Sequence, residues 1–128
     1  MRSYPDWLEF HSRRIGGSVA SVRSRSGIVR LETGEGETAD RVFLGLPDDD
    51  AWRAFRETLE SAGFWEWSTD TTHGEPHRPG DWYWWLEVHE DRRRHRAAAW
   101  NHAPDGLDDV RGALFELAEQ VLAEVTTA

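Results

Sequence analysis

The chain has 128 residues, of which 38% are hydrophobic, 12% aromatic and 30% charged, and its net charge is −9; this is the size and makeup of a single globular domain, residues 1–128, able to bury one core. There is no cysteine, which excludes disulfides, thiolate metal sites and cysteine nucleophiles. All 15 basic residues are arginine, which excludes Schiff-base chemistry, a P-loop lysine and a lysine general base.

The acidic balance opposes nucleic acid and anionic lipid and favours a basic protein partner. No stretch approaches the roughly 20 apolar residues of a membrane span. The first residues lack the apolar run of a secretory signal, so the expected compartment is the cytoplasm. Abundant arginine, alanine, glycine and aspartate without lysine reads as the coding bias of a GC-rich genome.

In chain order, Asp6 to His11 alternates as a first strand, with Leu8 and Phe10 inward and Trp7, Glu9 and His11 outward. Ser18–Ser24 and Ile28–Thr33 read as a hairpin around Ser26-Gly27. A polar loop, Gly34–Asp40, leads to a strand over Arg41–Leu46 with Val42, Leu44 and Leu46 expected inward. Pro47-Asp48-Asp49-Asp50 supplies a cap and negative charge for a helix over about 48–62. Gly63 ends it, and Trp52, Phe55, Leu59 and Ala62 form one apolar stripe. Phe64-Trp65-Glu66-Trp67 is expected as a short aromatic strand, followed by a long loop to Pro79 that contains His73 and His77.

Gly80–His89 is the best strand of the sequence, holding three of the eight tryptophans within four residues. Trp82, Trp84, Leu86 and Val88 fall on one face, and Tyr83, Trp85, Glu87 and His89 on the other. Asp91–Arg94 is expected as a solvated turn and His95–Asn101 as the antiparallel return, with Trp85 opposite Trp100 and Ala97 and Ala99 opposite Val88 and Leu86. Pro104-Asp105 opens a second helix over about 105–125, whose stripe is Leu107, Val110, Leu114, Leu117, Val121 and Val125. The sum is an α+β, two-layer sandwich: a mainly antiparallel sheet with both helices on one face, against Trp82, Trp84, Leu86 and Val88.

The run from the first helix through Trp65, Gly80-Asp81, Trp85-Leu86-Glu87-Val88, Asn101 and Pro104 to the last helix, about residues 48 to 122, resembles a family of small uncharacterised bacterial α+β proteins. Members carry a Trp-x-Leu-x-Ile/Val strand, then an Asn-x-x-Pro turn and a C-terminal helix. The resemblance implies the fold and a Trp85 strand close to the Asn101 turn. It implies no activity.

Trp7-Leu8-Glu9-Phe10-His11 and Trp85-Leu86-Glu87-Val88-His89 differ at one position. Either two amphipathic strands coincide, or Glu9, His11, Glu87 and His89 share one face. Trp7, Tyr83, Trp85, Glu87, His89 and Trp100 are the candidate binding residues, on a face that is either open or covered by other parts of the chain. No metal or other cofactor is expected. A metal site, if formed, would use Glu9, His11, Glu87 and His89, or His73 and His77, although Gly74 and Pro76 deprive the latter spacing of helical meaning. The expected function is therefore a non-enzymatic, acidic binding module of an immunity-like or accessory kind, engaging a basic protein through an aromatic sheet face. The alternative is a small metal-dependent or acid-base enzyme using histidine and carboxylate groups.

Overall fold

Alternating polarity sets the strands, and the pairing register decides which face each one turns to the helices. The computed structural model describes residues 4–36, 38–68, 80–119 and 121–126, with the backbone alone for 119 and 121–126. In β1 (Trp7–Arg14), Leu8 and Phe10 are buried, whereas Trp7, Glu9 and His11 are only partly so. β2 (Val19–Arg25) and β3 (Ile28–Gly34) close through Ser26 and Gly27, at φ +55° and +81°. Two consecutive residues at positive φ make the tight turn whose twist matches the paired strands.

β4 (Arg41–Gly45) pairs with β3 so that Val42 lies across from Glu32, Leu44 across from Arg30, and Phe43 across from Leu31. Leu31 packs on the helix-side core. The expected inward set of Val42, Leu44 and Leu46 is thus corrected in direction: Val42, though buried, and Leu44 lie on the face away from the helices, and Leu46 is exposed beyond the strand end. Polarity favours Val42, Leu44 and Leu46 over Arg41, Phe43 and Gly45, and the pairing with β3 overrides it.

α1 (Asp49–Ser61) begins where the Asp48 carboxylate accepts a hydrogen bond from the Ala51 N–H at 2.8 Å. This satisfies one of the amides left open at a helix start, and Asp49 and Asp50 sit at the positive end of the dipole. Trp52, Phe55 and Leu59 are buried as one stripe. The segment expected as an aromatic strand is instead a 3₁₀ turn, Phe64–Glu66. Three-residue periodicity superposes Phe64 and Trp67, and both enter the core, edge-on to each other at 5.6 Å. Trp65 stays at the surface beneath the Arg93 guanidinium, 3.9 Å from its ring centre.

β5 (Trp82–Glu90) and β6 (Arg93–Trp100) join through two residues, Asp91-Arg92, with Asp91 at φ +43°. The tighter turn moves the register by two residues from the expected one. Trp100 lies opposite Tyr83, Ala99 opposite Trp84, and Ala97 opposite Leu86. Small residues still face large ones on the core side. The tip is solvated as expected, all four residues being exposed, and it is also tied to α1: Arg93 bonds Glu60 of α1 and Glu90, and Arg56 of α1 pairs with Glu90 at 3.0 Å.

α2 (Leu107–Glu119) follows Gly106, whose φ is +92° and whose missing Cβ would lie 2.7 Å from the Cβ of Ala62. Glycine here permits both the backbone turn and the close approach of the two helices. The helix ends earlier than expected, and Val121–Thr126 is β7, antiparallel to β4. A four-residue interval such as Val121 to Val125 places residues on one face of a helix and equally on one face of a strand. The exposed edge of β4, with unpaired backbone groups, selects the strand.

The sheet order is β6-β5-β1-β2-β3-β4-β7, and all six pairings are antiparallel. β2 is the middle strand, and β5 lies one strand in from the edge. Both helices contribute to a single core with Leu8, Phe10, Val22, Val29, Trp84 and Leu86. The molecule is an α+β sandwich with both helices on one face of the sheet, the face that Trp84, Leu86 and Val88 line. Among the described residues, no helix is long and apolar enough to cross a membrane.

Candidate functional site

The two similar pentapeptides are neighbours. β1 pairs antiparallel with β5, with Trp7 opposite His89, Glu9 opposite Glu87, and His11 opposite Trp85. The reversed direction lets like meet like at the centre and aromatic meet imidazole at the ends. Pairing with β6 adds Trp100 beside Tyr83. All six candidate binding residues, Trp7, Tyr83, Trp85, Glu87, His89 and Trp100, therefore share the face turned away from the helices. His11 and Glu9 share it too.

The rings form a connected set across three strands. Trp100 and Tyr83 lie 4.5 Å apart, Tyr83 and Trp85 are nearly parallel at 6.1 Å, and the His11 imidazole stacks on Trp85 at 4.3 Å. Each is partly buried, with one flank against a neighbouring ring and another toward solvent. The Arg96 guanidinium lies 5.4 Å from the Trp85 ring centre, approaching from the β6 side while His11 approaches from β1. Such packing orders the side chains before any ligand arrives.

His11 is the hub, and Ser21 is the residue that sequence reasoning missed. Nδ1 of His11 is 2.8 Å from the Ser21 hydroxyl, and Nε2 is 3.4 Å from the Tyr83 hydroxyl. Burial, then the nearby charges of Arg13 and Arg23, lower the imidazole's proton affinity below its ordinary value. A neutral ring has one N–H and one bare nitrogen, so it donates to one hydroxyl and accepts from the other. Ser21 is itself buried. The signal that could have found it is the alternation of Val19, Ser21 and Arg23, which puts a serine among the outward positions of β2.

Level with the glutamates runs a charged row. Across β6, β5, β1, β2 and β3 the register reads Arg96, Glu87, Glu9, Arg23, Arg30. Two carboxylates directly opposite each other repel, and an arginine flanks each. Arg23 Nε reaches Glu9 at 3.9 Å, Glu87 also contacts His89 Nε2 at 3.0 Å, and Glu32 takes Arg30 at 2.7 Å. His89 and His11 are thus each engaged by different partners. Among the described residues, no group of three or more histidine and carboxylate side chains is gathered as a metal site. His73 and His77 lie outside the described residues.

The two layers differ in charge. The face away from the helices carries Arg13, Arg23, Arg25, Arg30, Arg94 and Arg96 against Glu9, Glu32 and Glu87. The helices carry Asp49, Asp50, Glu57 and Glu60 on α1, and Asp108, Asp109, Glu116 and Glu119 on α2, against Arg53, Arg56 and Arg111.

The fold and this face define an α+β protein that presents an aromatic, arginine-rich sheet surface. Comparison with protein-family models, with curated proteins and with solved structures finds no match.

Proposed function

We propose that this protein is a non-enzymatic binding module that engages a protein partner through the β6-β5-β1 sheet face. The observation that supports it is the packed set Trp100, Tyr83, Trp85 and His11, held in register on a face that both helices leave alone. Rings already stacked on one another lose little conformational freedom on binding, and tryptophan and tyrosine supply large contact area with few rotatable bonds. An immunity-like or accessory role requires no more than this.

The second reading is acid-base catalysis, and it has the Ser21–His11 hydrogen bond in its favour. Against it, the Ser21 hydroxyl is buried and both imidazole nitrogens are already engaged.

The test is capture of a partner from lysate of the source organism by the intact chain and by the double variant Trp85→Ala, Trp100→Ala. Loss of the wild-type partner, with a melting transition that remains cooperative, is the expected result. Retention of that partner by the double variant would exclude this face as the docking surface.

A further inference from the structure

Several arginines on this face stand without a carboxylate partner. Arg53, Arg56 and Arg93, on α1 and at the β5-β6 turn, have carboxylates within ion-pair distance. Among the described residues, Arg25, Arg94 and Arg96 on the sheet face have none. Arg23 has Glu9 only at 3.9 Å and remains 55% exposed, directly across from Arg30. Arg30 is held by Glu32 at 2.7 Å, which leaves Arg23 the less fully neutralised of the two.

The rings beside this arginine field, one row along from the Glu9–Glu87 pair that separates Arg23 from Arg96, select the kind of anion. A base-stacking surface needs a free aromatic face. The Trp85 ring has His11 on it at 4.3 Å and the Arg96 guanidinium at 5.4 Å, and Tyr83 has Trp100 at 4.5 Å. These rings use their faces on one another. An aromatic edge carries partial positive charge and so adds to the attraction of neighbouring guanidiniums for a carboxylate, which arginine binds through two parallel hydrogen bonds. At physiological ionic strength charges beyond about 8 Å are screened, so a docking segment responds to this face and not to the acidic helices behind it.

We propose that the partner meets this face with an acidic segment of protein, its aspartate or glutamate carboxylates binding Arg23 and Arg96 beside the Trp85–His11 stack and Arg25 and Arg94 farther along the same face. This inference rests on the reading of the face as a docking surface and reverses the partner charge that the total of −9 suggests. On the helices carboxylates outnumber arginines; on the sheet face arginines outnumber carboxylates.

The probe is poly-L-glutamate, titrated into the intact protein with tryptophan fluorescence as readout, beside poly-L-lysine and oligo-deoxythymidylate. Poly-L-glutamate should bind with an affinity that falls roughly tenfold between about 0.05 and 0.2 M salt. The variant Arg23→Ser, Arg96→Ser should weaken it by about tenfold or more, and Arg53→Ser on α1 should not. Binding of oligo-deoxythymidylate as tight as that of poly-L-glutamate would overturn the choice of protein carboxylates, and equal weakening by Arg53→Ser would overturn the assignment to this face. In the capture experiment poly-L-glutamate should displace the partner. If Trp85→Ala, Trp100→Ala abolishes capture but poly-L-glutamate does not compete, the face stands and the acidic partner falls. If the double variant still captures, the docking face itself falls.

Discussion

One strand, β5, has two faces that reach order by different physics. Toward the helices, Trp84, Leu86 and Val88 are buried at 2%, 0% and 0% exposure in a dry core with Phe10, Leu59 and Leu114. There the stabilisation is apolar area removed from water, about 1.5–3 kcal/mol for each large side chain fully buried. On the opposite face Tyr83, Trp85, Glu87 and His89 keep part of their surface in water and are ordered by cross-strand partners: stacked rings, a shared hydroxyl pair, and glutamates flanked by arginines. A sheet surface can thus be ordered by its own side chains, provided its register brings complementary groups together. That surface retains unmatched charge, which a core cannot.

The largest expected difference between the faces is in stability. Replacing Leu114, which is fully buried, by alanine should cost about 2 to 5 kcal/mol through lost transfer energy and a residual cavity. Glu87→Gln should cost well under half of that, because exposed charge pairs contribute roughly 0–1 kcal/mol. Denaturant midpoints of the two variants decide the matter, and equal losses would mean that the two faces are energetically alike.

Two glycines sharpen the helix side. Gly106→Ala should destabilise by more than about 1 kcal/mol, since it forces a side chain onto positive φ and against Ala62. Gly112 is exposed on α2 and an added Cβ meets nothing within 4 Å, so Gly112→Ala should stabilise by about 0.5–1 kcal/mol. Thermal melts with opposite shifts would support the helix packing described, and a stabilising Gly106→Ala would refute the close approach.

The smallest effect is on the outer face and depends on pH. Burial, Arg13 and Arg23 lower the proton affinity of His11 in the folded chain, so as pH falls the unfolded chain takes up the proton first, near about 6.5. Its contribution is complete above that value and is lost as pH falls through the lower, folded one. Stability should therefore decline more steeply below about pH 6.5 in the native protein than in His11→Gln. Parallel curves of melting midpoint against pH for the two proteins would show that the imidazole is not held in this environment.

Much of this architecture was legible before any coordinates. The inward Leu8 and Phe10, the Asp48 cap, the Trp52–Phe55–Leu59 stripe and the two-faced β5 each follow from a local period that one face of a core must satisfy, and local periods are written in neighbouring residues. The candidate face was legible residue by residue for the same reason: alternation alone puts Tyr83, Trp85, Glu87 and His89 together. Where two local forms share a spacing, legibility stopped. Phe64 and Trp67 fit a strand end or a 3₁₀ turn, and Val121 and Val125 fit either a helix or a strand.

The amino-acid sequence by itself determined the α+β class, the positions of both helix starts and the core residues of β1, α1 and β5, because each depends on propensity and polarity within a few residues. Only the tertiary structure decided that β1 lies beside β5, so that Glu9 meets Glu87 and His11 stacks on Trp85. It also decided that Tyr83, not Trp85, faces Trp100, and that arginines outnumber carboxylates on the sheet face of a chain whose total charge is negative. Those outcomes depend on which strands pair and in what register, a choice made by the summed packing of residues far apart in the chain and by the two-residue turn at Asp91-Arg92. A net charge has no such geometry in it.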